Sequence, residues 1–370
     1  MRTMFARFRH ARQRLYGVPL KRRERDIFAP EELAVVLSHY DLGVIESITE
    51  FRRGSRRSPK VGIVCERGKF LLKKRDLSRG GLARVRYAHA IQEHLGAKGF
   101  PLPQLITPRN TPSTVLDLDG QLYELFDFVS GHAYAGEPGE SRDAGATLAR
   151  FHAAMADFPM EESRVHSGYH DAVAVQTGLN AIPPRVSSHD SAAGREAEVI
   201  GLTVNLYEAY CDAGEAVEAA GYERWPNCVV HSDWHPGNLL FKKGEVVAVI
   251  DYDCVKVGKA ASDLANGALH FSLVAGGAPD DWPDHLDMDR CREFLAGYDT
   301  VRRIGDEEAR ALPHLMIEAL IAESVLPIAA TGSFGRFDGF GFMQMVRRKV
   351  NWIQRHAAEL CTVTATPRAS

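Results

Sequence analysis

No C-x-x-C pair links any of the six cysteines (Cys65, Cys211, Cys228, Cys254, Cys291, Cys361), and the amino terminus lacks an apolar secretory core. A disulfide scaffold is excluded, and a reducing cytoplasm is the expected setting. No stretch reaches the roughly 20 uninterrupted apolar residues of a membrane span. The most apolar run, Leu315 to Ala330, is broken by Glu318, Glu323 and Pro327. Charge is unevenly spread: the formal net charge is −3, yet Arg2, Arg7, Arg9, Arg12, Arg14, Lys21, Arg22, Arg23 and Arg25 crowd the first 26 residues. The remainder is more acidic than the whole, so nucleic acid is not an expected ligand of the body. The basic start reads as a solvated extension, with surface contact through its charges as the alternative. What remains is ordinary: 45% hydrophobic and 25% charged residues over 370 positions, more than one core usually takes. Two lobes are expected.

From Pro30 the pattern becomes regular. PEELAVVLSHY suggests a helix, and Val44 to Phe51, Lys60 to Glu66 and Lys69 to Arg75 read as short strands of an antiparallel sheet, with turn signals at Gly54 and Arg67-Gly68. A helix follows over Leu82 to Ala97, then strands over Thr114 to Leu118 and Gln121 to Val129 around Asp119-Gly120. Beyond Gly131 the reading is mostly helical, through Leu148, Phe151, His152 and Met155, a polar stretch around Ile182 to Arg195, and a helix from Ala197 to Ala220. Within this half, CVVH, NLLF and EVVAVID are β-like pieces with polar residues at their ends.

Those ends carry the chemistry. HSDWHPGNLLF and VIDYD place Asp233, Asn238, Asp251 and Asp253 within about twenty residues, on the edges of apolar strands where sites are commonly built. Oxygen donors of this kind suit magnesium, which takes one or two carboxylates and completes its shell with substrate phosphates. An isolated Asp here would serve equally well as a turn or cap residue; the set would not.

H-x-D-x-x-x-x-N (His231, Asp233, Asn238), then I-D-x-D (Ile250 to Asp253) and D-L-A (Asp263 to Ala265), resembles the aminoglycoside phosphotransferase and choline/homoserine kinase-like family. The resemblance covers roughly residues 40 to 355. It implies an α+β, bilobal protein-kinase-like fold: a basic extension over 1–30, a small antiparallel β-rich N-lobe over 31–130, and a larger, mainly helical C-lobe over 131–370. It implies ATP and Mg2+ as cofactors and transfer of the γ-phosphate to a hydroxyl of a small metabolite of amino alcohol, amino sugar or sugar type. Asp233 would accept or orient the hydroxyl proton, and Asn238 and Asp251 would hold the metal. His231 would brace the loop, Asp263 would tie it down, and His235 matches a frequent family choice. For both histidines a buried ring hydrogen-bonded to backbone is the ordinary role.

The same resemblance asks the N-lobe for a lysine and a phosphate clamp. In FLLKKR, strand alternation separates Lys73 from Lys74, and the family pattern selects Lys73 for the α- and β-phosphates, leaving Lys74 to solvent. Gly54 and Ser55, in the basic turn FRRGSRRSPK, offer backbone amides to phosphate, although the turn is no G-x-G-x-x-G. YELFDFVSG resembles the interlobe hinge, with Phe126 lining an adenine pocket and Asp127 to Val129 at its edge. The Glu that relatives pair with the lysine falls near Ala88 and His89, with Glu93 one turn later, so no partner is assigned to Lys73. The acidic run PDDWPDHLDMD would suit a cationic acceptor, though such runs usually face water. Trp234, beside the implied base, would be able to contact substrate and Trp225 lies just upstream, but aromatic residues there are more often core. A protein kinase of the spore-coat type is the second reading, disfavoured because no D-F-G or A-P-E is present. A silent nucleotide-binding scaffold is the third, and it has no need of Lys73, Asp233, Asn238 and Asp251 together.

Overall fold

The structure, a computed structural model, describes residues 26–51, 57–76, 81–160, 168–187 and 192–362. In chain order the elements are α1 (Pro30–Ser38), β1 (Ile45–Phe51), β2 (Lys60–Cys65), β3 (Gly68–Lys74), α2 (Leu82–Ala97), β4 (Val115–Leu118), β5 (Gln121–Asp127), α3 (Pro138–Ala154), α4 (Val173–Val186) and α5 (Glu196–Ala219). There follow β6 (Asn227–Val230), β7 (Leu239–Lys242), β8 (Glu245–Val249), β9 (Lys256–Lys259), α6 (Ala260–Ser272), α7 (Met288–Asp299), α8 (Asp306–Thr331), β10 (Ser333–Phe334), β11 (Phe337–Asp338), α9 (Gly339–Arg355) and α10 (Ala357–Thr362). The chain divides into two compact units, residues 1–79 with 108–124 and residues 80–107 with 125–370.

The first unit is built on a five-stranded sheet in the order β1-β2-β3-β5-β4. Pairs β1–β2, β2–β3 and β4–β5 are antiparallel. Alternation along β2 turns Val61, Ile63 and Cys65 inward, as the period of two requires. On β3, Leu72 is fully buried and Lys73 is 8% exposed. Lys74, expected in solvent, instead reaches Glu32 Oε1 of α1 at 2.6 Å, and the Tyr123 hydroxyl donates to the same oxygen at 2.6 Å. Residues 1–25 of the basic extension called over 1–30, with Gly54 and Ser55, lie outside the described residues.

The second unit is a helical body with two small β-ribbons, β6–β9 and β7–β8, both antiparallel. Its core gathers Leu148, Phe151, Trp234, Phe241, Leu264, Phe294, Tyr298 and Ile321, all nearly free of solvent. The axis of this body is α8. It is long and apolar enough to cross a membrane by length and composition, but 78% of its most apolar window is buried inside the protein. Glu318 and Glu323, which interrupt the apolar run, turn to His170 and His270 instead of lipid.

Helices α3 and α7 touch at backbone distance. A Cβ added at Gly297 would stand 1.9 Å from the Arg142 carbonyl oxygen, and one at Gly145 would stand 1.9 Å from that of Phe294. Gly297→Ala should therefore force the helices apart and lower stability by about 2 to 3 kcal/mol in urea unfolding, as overpacking does. An unchanged midpoint would show that this crossing is not close.

Two elements depart from the sequence reading. The stretch around Ile182 to Arg195 was expected to be polar and irregular, yet Ile182–Val186 finishes α4, whose Val175, Leu179, Ile182 and Val186 are fully buried. The adjacent Pro183 and Pro184 masked its period. Strand β9 was not expected either: a four-residue strand carrying two lysines has little pattern of its own, and its pairing with β6 makes it.

Candidate active site

Residues 231–238 form a loop between β6 and β7, and two buried oxygens fix its start. The Asp263 carboxylate, at the first turn of α6, accepts the His231 N–H at Oδ2 and the Ser232 N–H at Oδ1, both at 2.7 Å. Its Oδ2 also meets His152 Nε2 at 3.2 Å, while His152 Nδ1 lies 2.8 Å from the Tyr298 hydroxyl. Arg302 donates to that hydroxyl at 2.7 Å, which closes a chain from α7 to the loop. Burial alone would raise the Asp263 pKa, but the hydrogen bonds from His152 and the loop amide outweigh it and hold the carboxyl below its ordinary range.

The anchored amide of Ser232 holds a left-handed backbone there, φ 63°, which points the next residue, Asp233, out of the loop. Asn238 Nδ2 donates to Asp233 Oδ2 at 2.8 Å and to its carbonyl oxygen at 3.0 Å. On the other side, His235 Nε2 stands 3.5 Å from Asp233 Oδ1. His235 Nδ1 accepts the Gly237 N–H at 3.0 Å, so the ring proton belongs on Nε2, toward the carboxylate. Burial pushes the Asp233 pKa up, yet His235, His231 and Asn238 together bring it below the ordinary value. The carboxylate is thus oriented and ionised.

Because Asn238 gives its amide hydrogens to Asp233, its amide oxygen points elsewhere. Ile250 N–H donates to Asn238 O at 2.9 Å, which sets Asp251 at the same open end of the β7–β8 hairpin. Asp251 is left-handed, φ 66° and ψ 68°, a strained setting for a residue with a side chain and one typical of functional turns. An amide oxygen and a carboxylate are hard donors, and among the described residues no three His, Cys, Asp or Glu side chains gather into a metal cage. This donor set fits magnesium, which keeps waters and substrate phosphates as its remaining ligands.

His231 differs from expectation. Its ring is fully buried, neither ring nitrogen has a hydrogen-bond partner among the described residues, and Phe151, Trp234 and Tyr252 pack edge-on around it. Burial holds its pKa down, so it acts as a neutral aromatic wedge where a backbone-bonded histidine was anticipated. Trp234 and Trp225 are both core residues. Lys73 belongs to the first unit and Asp233 to the second. Of the hinge residues, Phe126 bridges to Leu105, and the Asp127 amide donates to Gln104 O at 3.0 Å. The Asp127 carboxylate is pushed up by burial despite the Gln104 amide. Val129 is exposed only in part, and the chain beyond it runs against β7 through His132 and Phe241.

The acidic run is tied up locally. Arg348 donates to Asp284 at 2.7 Å, Asp287 caps α7, and fully buried Lys349 donates to Val274, Pro283 and His285 carbonyls. Burial brings the Lys349 pKa down to about 8.

Sequence reasoning missed His152, Tyr298, His270 and Glu323. His270 Nε2 meets Glu323 at 2.8 Å and its ring lies 5.8 Å from that of His235, forming a second layer behind Asp233. Burial would lower the His270 pKa, but Glu323 outweighs it and raises it. Their positions, 32 to 85 residues from the loop, carry no local signal.

Residues 48–304 match the model of the phosphotransferase enzyme family (APH). The homoserine kinase of Hyphomonas neptunium is 26% identical over 306 residues, spanning 78% of this chain and 82% of that protein. An aminoglycoside phosphotransferase structure from Alicyclobacillus acidocaldarius aligns with a TM-score of 0.64 at 18% identity, covering 94% of this chain and 99% of that one. The microcompartment-associated aminopropanol kinase gives 0.64 at 12% identity, covering 89% and 98%. With its kinase-like fold and its H-x-D-x-x-x-x-N loop braced from α6, this chain belongs to the phosphotransferase enzyme family and is a small-molecule kinase.

Proposed function

We infer that this enzyme moves the γ-phosphate of ATP, with Mg2+, to a hydroxyl of a small metabolite of amino alcohol, amino sugar or sugar type. The observation that carries the reading is the Asp233 carboxylate, held between Asn238 Nδ2 and His235 Nε2 on a loop pinned by Asp263. Asp233 orients the acceptor hydroxyl and takes its proton as the oxygen attacks. Asn238 and Asp251 would hold magnesium, which would supply neutralisation of charge on the phosphates. By motif, Lys73 takes the α- and β-phosphates, Gly54 and Ser55 offer amides, and Phe126 to Val129 hold the adenine. Division into 31–130 and 131–370 lobes follows the same resemblance. Phosphoryl transfer asks little covalent chemistry of the protein beyond positioning and charge neutralisation, which is why so few residues define it. Six free thiols suit a cytoplasmic setting.

The test is ADP release from ATP and magnesium across homoserine, choline, methylthioribose, sugars, amino sugars and a generic protein. Stimulation by one small molecule is the expected result. Asp251→Ala should lose magnesium-dependent ATP binding; binding that stays unchanged would end the metal assignment.

A further inference from the structure

We propose that the acceptor carries an anionic group, a carboxylate or phosphate ester, and that Lys256 and Ser232 bind it in a cavity beside Asp233. This inference rests on the phosphotransferase reading and adds the chemical class of the acceptor. A cavity of about 360 Å³ is lined by Arg84, Tyr87, Tyr169, Ser232, Cys254 and Lys256. A smaller one shares Tyr169, Ser232 and Lys256 and reaches Asn266. Lys256 opens β9 directly across from Val230, the last residue before the Asp233 loop, so its position is set by a strand pair.

The ammonium on this wall is unusual. Lys256 makes no ion pair and no hydrogen bond among the described residues; its ammonium lies over the face of Tyr169, 6.0 Å from the ring centre. Burial lowers its pKa. The Ser232 hydroxyl and the Asn266 amide oxygen are buried here without hydrogen-bond partners among the described residues, an unfavourable state that a ligand or water would relieve. A second cation, Arg84, stands on the same wall and donates through Nε and Nη2 to the Asp253 carbonyl at 3.0 and 2.6 Å. The one carboxylate that lines the smaller cavity, Asp263, spends both oxygens on the loop amides.

The cavity adjoins the assigned base. Ser232, on the wall of both cavities, directly precedes Asp233 in the loop. An acceptor anchored by its anion at Lys256 would therefore bring a nearby hydroxyl to Asp233. A cation from the acidic run has no such support, since Asp284 and Asp287 serve Arg348 and the α7 cap.

The experiment is calorimetric titration of glycolate and glycerol 3-phosphate into wild type, Lys256→Met and Lys256→Arg. AMP-PNP and magnesium are present to fill the nucleotide site, and ethylene glycol is the uncharged control. Expected is saturable binding of one anion, weakened about tenfold or more in Lys256→Met and kept within about threefold in Lys256→Arg, since the charge and not the stem makes the contact. Glycolate alone would indicate a carboxylate acceptor, and glycerol 3-phosphate alone a phosphate ester. With a turned-over acceptor, Lys256→Met should raise KM about tenfold with kcat little changed, the mark of lost ground-state binding. No saturable anion binding in wild type, or equal binding in a Lys256→Met protein of unchanged melting temperature, overturns the proposal. Failure of the kinase reading would show separately, as ADP release that no acceptor stimulates.

Discussion

Asp233→Asn should cut kcat by about three orders of magnitude while ATP binding stays near wild type, because general-base or orienting carboxylates contribute about 10²- to 10⁴-fold. The substitution keeps the shape and the hydrogen bond with Asn238, whose Nδ2 needs only an acceptor oxygen. What it removes is the charge, and with it the site for the acceptor proton. The His235 N–H on Nε2, 3.5 Å from Oδ1, would face an amide that can offer only one oxygen. Single-turnover kinetics with a stimulating acceptor give the measurement. A loss smaller than about tenfold would take the base role from Asp233.

Asp263→Ala should cost about 4 kcal/mol of stability and reduce kcat about a hundredfold. The carboxylate satisfies two buried loop amides at 2.7 Å and His152 at 3.2 Å, and all three partners would be stranded together. Asp263→Asn is nearly as severe, since one of its atoms would be an N–H facing an N–H. The catalytic loss follows from the left-handed turn at Ser232, which relaxes when its amide is released and swings Asp233 off position. The pH dependence has a definite sign. The folded pKa of Asp263 is depressed, so its stabilisation is fully present above the unfolded carboxylate value of about 3.9 and is lost as pH falls through the lower folded value. The gap in unfolding free energy between wild type and Asp263→Ala should be constant at neutral pH and shrink only in strong acid. A gap that already closes at pH 6 would mean that Asp263 is not the ionised anchor.

Much of the fold was legible because its signals are local. The period of two in KVGIVC and FLLKK marked β2 and β3, and Leu82 to Ala97 is α2 to the residue. CVVH, NLLF and EVVAV marked β6, β7 and β8 because turn residues bound each of them. Helix α4 escaped because Pro183-Pro184 dilutes its apolar face, and β9 because two lysines in four residues look like loop.

The candidate site divides along the same line. His231, Asp233, Asn238, Asp251 and Asp263 occupy fixed spacings within 33 residues, and backbone connectivity almost forces a loop and a hairpin to bring them together. By itself, then, the sequence determined the kinase-like family and singled out the residues proposed to stand next to the reacting groups. The tertiary structure alone decided which groups surround them: His152 and Tyr298 behind Asp263, Glu323 behind His270, and the Lys256 ammonium over Tyr169 on the same cavity wall as Ser232. These partners come from α3, α7, α8 and β9, and what joins them is burial. A buried charge or hydroxyl must find a partner wherever the packing puts one, and packing is not written in sequence spacing.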